Sequence, residues 1–109
     1  MSAITTHVLD TVLGKPGAGI GVTLERDLNG RWAIVAEAAT DSDGRCRELA
    51  VNPEPGKYRI TFATGEYLRG QGRSTIYPAI GVIFDFRGDS HYHLPLLLSD
   101  NSYTTYRGS

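Results

Sequence analysis

Ile80-Gly81-Val82-Ile83-Phe84-Asp85-Phe86 and His91-Tyr92-His93-Leu94-Pro95-Leu96-Leu97-Leu98 flank Arg87-Gly88-Asp89-Ser90, and the reading of these two runs decides the fold. In the first, Ile80, Val82, Phe84 and Phe86 fall on one side of an extended chain, with Asp85 on the other. In the second, Tyr92, Leu94, Leu96 and Leu98 share a side and His91 and His93 share the opposite one. Successive side chains of a strand point to opposite faces, so a period of two marks a strand with one face in a core.

The same period recurs toward the N-terminus. Ile20, Val22 and Leu24 alternate with polar or small residues, as do Tyr58, Ile60 and Phe62. Trp32, Ile34 and Ala36 follow Asn29-Gly30, a dipeptide suited to the left-handed backbone of a tight hairpin. Turn signals separate the runs at Gly14-Lys15-Pro16-Gly17, Asp41-Ser42-Asp43-Gly44 and Pro53-Glu54-Pro55-Gly56. This punctuation predicts about eight short strands in a sandwich or barrel, an all-β fold. Only Gly65-Glu66-Tyr67-Leu68-Arg69-Gly70-Gln71 departs, reading as one or two helical turns. No repeat or linker interrupts the 109 residues, so residues 1–109 form a single domain.

A net charge of −1, with Arg and Lys spread along the chain, argues against a nucleic-acid or anionic-membrane partner. No apolar stretch has the length of a membrane span, and Met1 to His7 lacks the pattern of a secretory signal. Cys46 is the only cysteine, so neither an intrachain disulfide nor a zinc ribbon can form. These features fit a cytoplasmic protein.

The chemistry-bearing residues sit at the ends of the chain and in one turn. His91 and His93 face away from the core. His7 lies on one face with Thr5 and Leu9, opposite Ile4, Thr6 and Val8, and points outward in the same sense. Three readings are open: solvated surface histidines, a metal chelate, or general acid–base groups suited to neutral pH. The metal reading lacks a carboxylate or thiolate at a telling spacing. Arg45 and Arg47 follow Asp43-Gly44 as solvated turn residues or as planar donors to an oxygen-rich ligand. Cys46, between them, reads as a small buried filler. Tyr103-Thr104-Thr105 gives the C-terminus a strand-like composition, so a sheet is expected to hold it.

His91-Tyr92-His93-Leu94-Pro95-Leu96-Leu97-Leu98-Ser99, followed by Tyr103 and the terminal Tyr106-Arg107-Gly108-Ser109, resembles the 5-hydroxyisourate hydrolases, the transthyretin-related enzymes of urate breakdown. Thr6-His7-Val8-Leu9-Asp10 with Gly14-Lys15-Pro16, then Thr40-Asp41 with Asp43-Gly44-Arg45, then Gly56-Lys57-Tyr58-Arg59 with Tyr77-Pro78 resemble the same family in order. Gly17 and Asp100-Asn101-Ser102 depart from its usual pattern, both at loop positions.

The resemblance implies a transthyretin-like β-sandwich of two four-stranded antiparallel sheets with one short helix. It implies a homotetramer with active sites at the dimer–dimer interface. The implied activity is hydrolysis of 5-hydroxyisourate to 2-oxo-4-hydroxy-4-carboxy-5-ureidoimidazoline, with no metal and no organic cofactor. His7, Arg45 and His93 are the implied catalytic residues. Tyr106, Arg107, Gly108 and Ser109 would shape the substrate site, with His91 a plausible partner. His7 is favoured as the base, His93 as its partner or the proton donor, and Arg45 as the group that stabilises the oxyanion. The alternative is a transthyretin-like carrier of a small ligand, which the terminal tetrapeptide and the paired histidines argue against.

Overall fold

The computed structural model describes residues 2–108, and in it the two opening runs become strands of different sheets. One sheet is antiparallel throughout. It contains β3 (Gly21–Leu28), β4 (Arg31–Ala39), β6 (Gly56–Phe62) and β7 (Ile80–Phe86), in the order β4-β3-β6-β7. The other is built around β1 (Ala3–Asp10). On one edge β1 meets β8 (His91–Leu98), which in turn meets β9 (Tyr103–Thr105). On its other edge β5 (Arg45–Val51) pairs with the first part of β1 and the two-residue β2 (Lys15–Pro16) with the last. This sheet is thus also four rows wide.

One pairing departs from the antiparallel expectation: β1 and β8 run parallel, from Ala3 opposite His91 to Asp10 opposite Leu98. Short turns force neighbouring strands antiparallel, but nearly the whole chain connects these two, so no turn dictates their sense.

The predicted inward residues meet between the sheets. Ile4, Val8, Tyr92, Leu94, Leu96 and Leu98 from one pack against Val22, Leu24, Tyr58, Ile60, Phe62, Ile80 and Phe86 from the other. Burying a side chain of this size contributes about 1.5–3 kcal/mol, so this alternating set dominates the stability. Cys46 lies in the same core as a free thiol, and burial pushes its pKa up.

Between β3 and β4, Asn29 (φ 56°) and Gly30 (φ 87°) form the expected left-handed hairpin. The alternation predicted within β4 does not survive intact. Leu24 faces Ala36 and Glu25 faces Ile34, so Val35 is an extra residue. A bulge of this kind reverses the face of everything beyond it. Ala36 therefore packs toward the core, while Trp32 and the exposed Ile34 lie on the outer face.

The irregular segment forms α1 (Thr64–Arg69), with Gly70 at its C-terminal end. It covers the end of β1, where the buried Asp10 accepts hydrogen bonds from Tyr67 Oη (2.9 Å) and Arg73 Nη1 (2.6 Å). Burial opposes ionisation there, but the bonds from Arg73, the Leu13 amide and Tyr67 bring the Asp10 carboxyl down to about 2.

Candidate active site

The outer face of the β1 sheet gathers the expected residues through strand register. His7 pairs with Arg45 across β1 and β5, and Thr5 lies beside His93 across β1 and β8. Alternation turns His7, Arg45, His91 and His93 outward together. Thr5 shares their face yet is buried, covered by its neighbours. Between Ile4 and Thr6 the β1–β5 register shifts, so that Arg47-Glu48-Leu49 bulges against Thr5. A depression of about 340 Å³ results, lined by Thr5, Thr6, Arg45, Arg47, His91 and His93. His7 lines an adjoining hollow with Arg45, Arg47 and Asp43.

The turn that delivers Arg45 is tightly determined. Asp41 Oδ1 accepts the amides of Asp43 (2.9 Å) and Arg45 (3.0 Å), and these bonds, led by that of Arg45, lower the Asp41 pKa. Gly44 has φ 77° and lies where a Cβ would collide with the Val8 carbonyl, so only glycine lets the turn close onto β1. The Gly44 carbonyl accepts the Val8 amide at 2.7 Å, locking the turn beside His7.

The two arginines are thereby told apart. Arg47 pairs with Asp43 (3.3 Å) and more loosely with Asp41 (3.8 Å). Arg45 makes no salt bridge among the described residues, so its guanidinium is available to a ligand's oxygens.

The histidines are not independent. Thr5 Oγ1 lies 2.7 Å from His91 Nε2 and 2.8 Å from His93 Nδ1, a contact that sequence reading missed. The available signal was weak: Thr5 shares the outward face of His7, but a threonine on a strand has many reasons to be there. Thr6, on the other face, donates to the Leu94 carbonyl at 2.6 Å and is thereby satisfied. Burial lowers the His93 pKa, assisted by the nearby charges of Arg45, His91 and His7, so its neutral form persists below the usual range. Among the described residues, no three His, Cys, Asp or Glu side chains gather as a metal-binding group.

The C-terminus is held by a sheet, as its composition suggests. β9 pairs with Leu96 to Leu98, and in the same register Gly108 bridges to His93, its amide donating to the His93 carbonyl at 2.7 Å. The ladder lapses between them because Pro95 has no N–H to give. Gly108 lies against the imidazole: a Cβ there would meet His93 Cδ2 at 2.8 Å. By alternation Tyr106 shares the histidine face. Arg107 does not. Its guanidinium carbon lies 3.9 Å from the Tyr92 ring centroid, and Nη2 donates to Ser90 Oγ at 3.0 Å. Arg107 thus lies on the Tyr92 side of the strand and anchors the tail. Ser109, the remaining residue of the expected site, lies outside the described residues.

Fold and site together define a small β-sandwich that gathers histidines and arginines on an outer sheet face. The chain belongs to the HIUase/transthyretin family, which it matches over residues 4–108. It is 43% identical to the 5-hydroxyisourate hydrolase of Mesorhizobium japonicum, over 97% of this chain and 91% of that protein. Among solved structures, Klebsiella pneumoniae 5-hydroxyisourate hydrolase superposes with a TM-score of 0.86 at 34% identity, over 97% of this chain and 98% of that one. Sea bream transthyretin in complex with thyroxine superposes with a TM-score of 0.93 at 31% identity, over 96% and 93%.

Proposed function

We propose that this protein hydrolyses 5-hydroxyisourate, opening its six-membered ring at the N1–C6 bond to give 2-oxo-4-hydroxy-4-carboxy-5-ureidoimidazoline. The observation that carries the reading is the outward cluster of His7, His93 and Arg45, which makes no salt bridge among the described residues, with Gly108 closing against His93. In this reading Arg45 binds the carbonyl at C6 and stabilises the oxyanion that forms when water adds. His7 takes a proton from that water, and His93 delivers one to the departing ring nitrogen. Tyr106 and Gly108 flank the substrate, Arg107 secures this stretch through Tyr92, and His91 supports His93; Ser109 is assigned to the same substrate site by resemblance alone. Neither a metal nor an organic cofactor enters the proposed steps.

A homotetramer belongs to the same proposal. The sandwich interior is filled by side chains, and the site lies on an outer face, so a second subunit over that face would supply the enclosure a small ligand needs. A cytoplasmic location is also part of the reading, supported by a single cysteine held as a buried thiol.

A second reading, a carrier for a small aromatic ligand, draws on the superposition with the thyroxine complex of sea bream transthyretin. Neither the histidine pair nor the Gly108 clasp has an evident use in a carrier. The two separate in one assay, in which 5-hydroxyisourate generated freshly by urate oxidase is followed with and without the protein. Acceleration over spontaneous decay is the expected result, and its absence would leave the carrier.

A further inference from the structure

We propose that Thr5 is a positioning residue that relays a proton from His91, exposed in the single chain, to His93, the ring beside Arg45. The inference rests on the hydrolase reading of the site, and two distances carry it. Oγ1 is 2.7 Å from His91 Nε2 and 2.8 Å from His93 Nδ1, so one hydroxyl serves both rings.

A hydroxyl has one proton to give, and an imidazole nitrogen either donates or accepts. When His91 carries its second proton, Nε2–H donates to Oγ1, and the hydroxyl turns its own proton to His93 Nδ1. A neutral His93 that accepts at Nδ1 holds its proton on Nε2, a nitrogen no described residue bonds. The Thr5 hydroxyl therefore sets the His93 tautomer according to the charge on His91.

The same contacts allow transfer. The Oγ1–H bond breaks as an N–H bond forms at His93 Nδ1, and the His91 Nε2 proton moves onto Oγ1. Thr5 ends as it began, and one positive charge has passed from His91 to His93. His93 then gives its Nε2 proton to the leaving nitrogen and is left neutral with its proton on Nδ1. Once product has left, Nε2 takes a proton from water, the Nδ1 proton passes to Thr5 Oγ1 and the hydroxyl proton returns to His91 Nε2, which restores the starting state.

The surroundings explain the need for a supply. His93 is partly buried and faces His7 from β1, Arg45 and Arg47 from β5 and His91 from its own strand, while Gly108 brings no charge. Burial and the guanidinium of Arg45 disfavour a resident imidazolium. A proton that arrives only transiently makes His93 a correspondingly stronger acid toward the leaving group. Thr5 as a residue is only 6% exposed, and its hydroxyl is engaged by both rings.

Thr5→Val keeps the branched shape and removes the hydroxyl, whereas Thr5→Ser keeps the hydroxyl. With the tetramer and thermal unfolding monitored, Thr5→Val should lower kcat at least about tenfold and leave KM within about twofold. Thr5→Ser should restore most of the rate, and added imidazole should partly rescue Thr5→Val. In nitrogen-15 spectra of the wild type, the His93 ring signals should respond in the same titration step as His91; in Thr5→Val the two should titrate separately.

Wild-type kcat in Thr5→Val, equal losses in both variants, or ring titrations unchanged by Thr5→Val would each overturn the relay. A wild-type protein that does not accelerate 5-hydroxyisourate decay would instead overturn the hydrolase reading. That failure appears before any variant is made.

Discussion

The two outer faces of the sandwich are made from the same kind of strand, yet they treat charge in opposite ways. On the β3–β6 face, Arg59 donates to Glu25 at 2.9 Å and its guanidinium carbon lies 4.5 Å from the Trp32 ring centroid. The arginine on that face is matched to an acceptor within it. On the β1–β8 face, Arg45 makes no salt bridge among the described residues, and His91 and His93 share one threonine hydroxyl. What separates a supporting face from a reactive one is whether its polar groups satisfy one another or stay open to a ligand.

Substitutions test the contrast in order of effect. Arg45→Ala removes the guanidinium assigned to the oxyanion and should lower kcat/KM by about 10²–10³-fold with the fold intact, as loss of an oxyanion donor does elsewhere. Steady-state kinetics beside an unchanged melting curve would check it, and near-normal turnover would strike Arg45 from the reading. Gly108→Ala should cost about tenfold in kcat, because the new methyl displaces the imidazole rather than any reacting atom. Unchanged kinetics there would mean that the tail is not aligned with the site.

Arg47→Ala breaks only exposed ion pairs at the rim and should change kcat/KM by no more than about threefold. An effect as large as that of Arg45→Ala would merge the two arginines into one role. On the opposite face, Arg59→Ala should leave turnover unchanged and lower stability by about 1 kcal/mol through the lost ion pair and ring contact. Urea unfolding measures this, and a turnover defect would show that the faces are coupled.

Acid supplies a test outside both faces. Asp10 titrates near 2 in the folded protein, well below an unfolded aspartate. A carboxylate with a depressed folded pKa contributes stability that is fully present above the unfolded value and is lost as pH falls through the folded one. Stability should therefore decline between about pH 4 and pH 2. Asp10→Asn should flatten that decline, and an unaltered profile would remove Asp10 as its source.

Much of this arrangement was legible in the sequence because it depends on local alternation. Tyr92, Leu94, Leu96 and Leu98 had to face inward, so His91 and His93 had to face out, and both did. The strand-like tail was readable in the same way. Other features arise from non-local register and leave no local trace. The extra residue at Val35 turned Trp32 and Ile34 outward although their spacing implied one face with Ala36. The shift between Ile4 and Thr6 made the depression, and the parallel β1–β8 register brought Thr5 between two rings. The choice of Arg45 over Arg47 came from resemblance, and the structure adds a physical reason in the carboxylates that engage Arg47.

The parallel pairing of β1 with β8 also has a consequence for how the protein comes into being. Thr5 and His93 are 88 residues apart in sequence, so the cluster is closed by one of the longest loops the chain can form. Contacts of such separation form late and slow the search for the native state. During synthesis β1 emerges well before β8, and the edge reserved for β8 waits unpaired until His91–Leu98 has been made. A chain that stops short of His91 would therefore carry an open strand edge, prone to join a neighbouring molecule in place of its own absent partner.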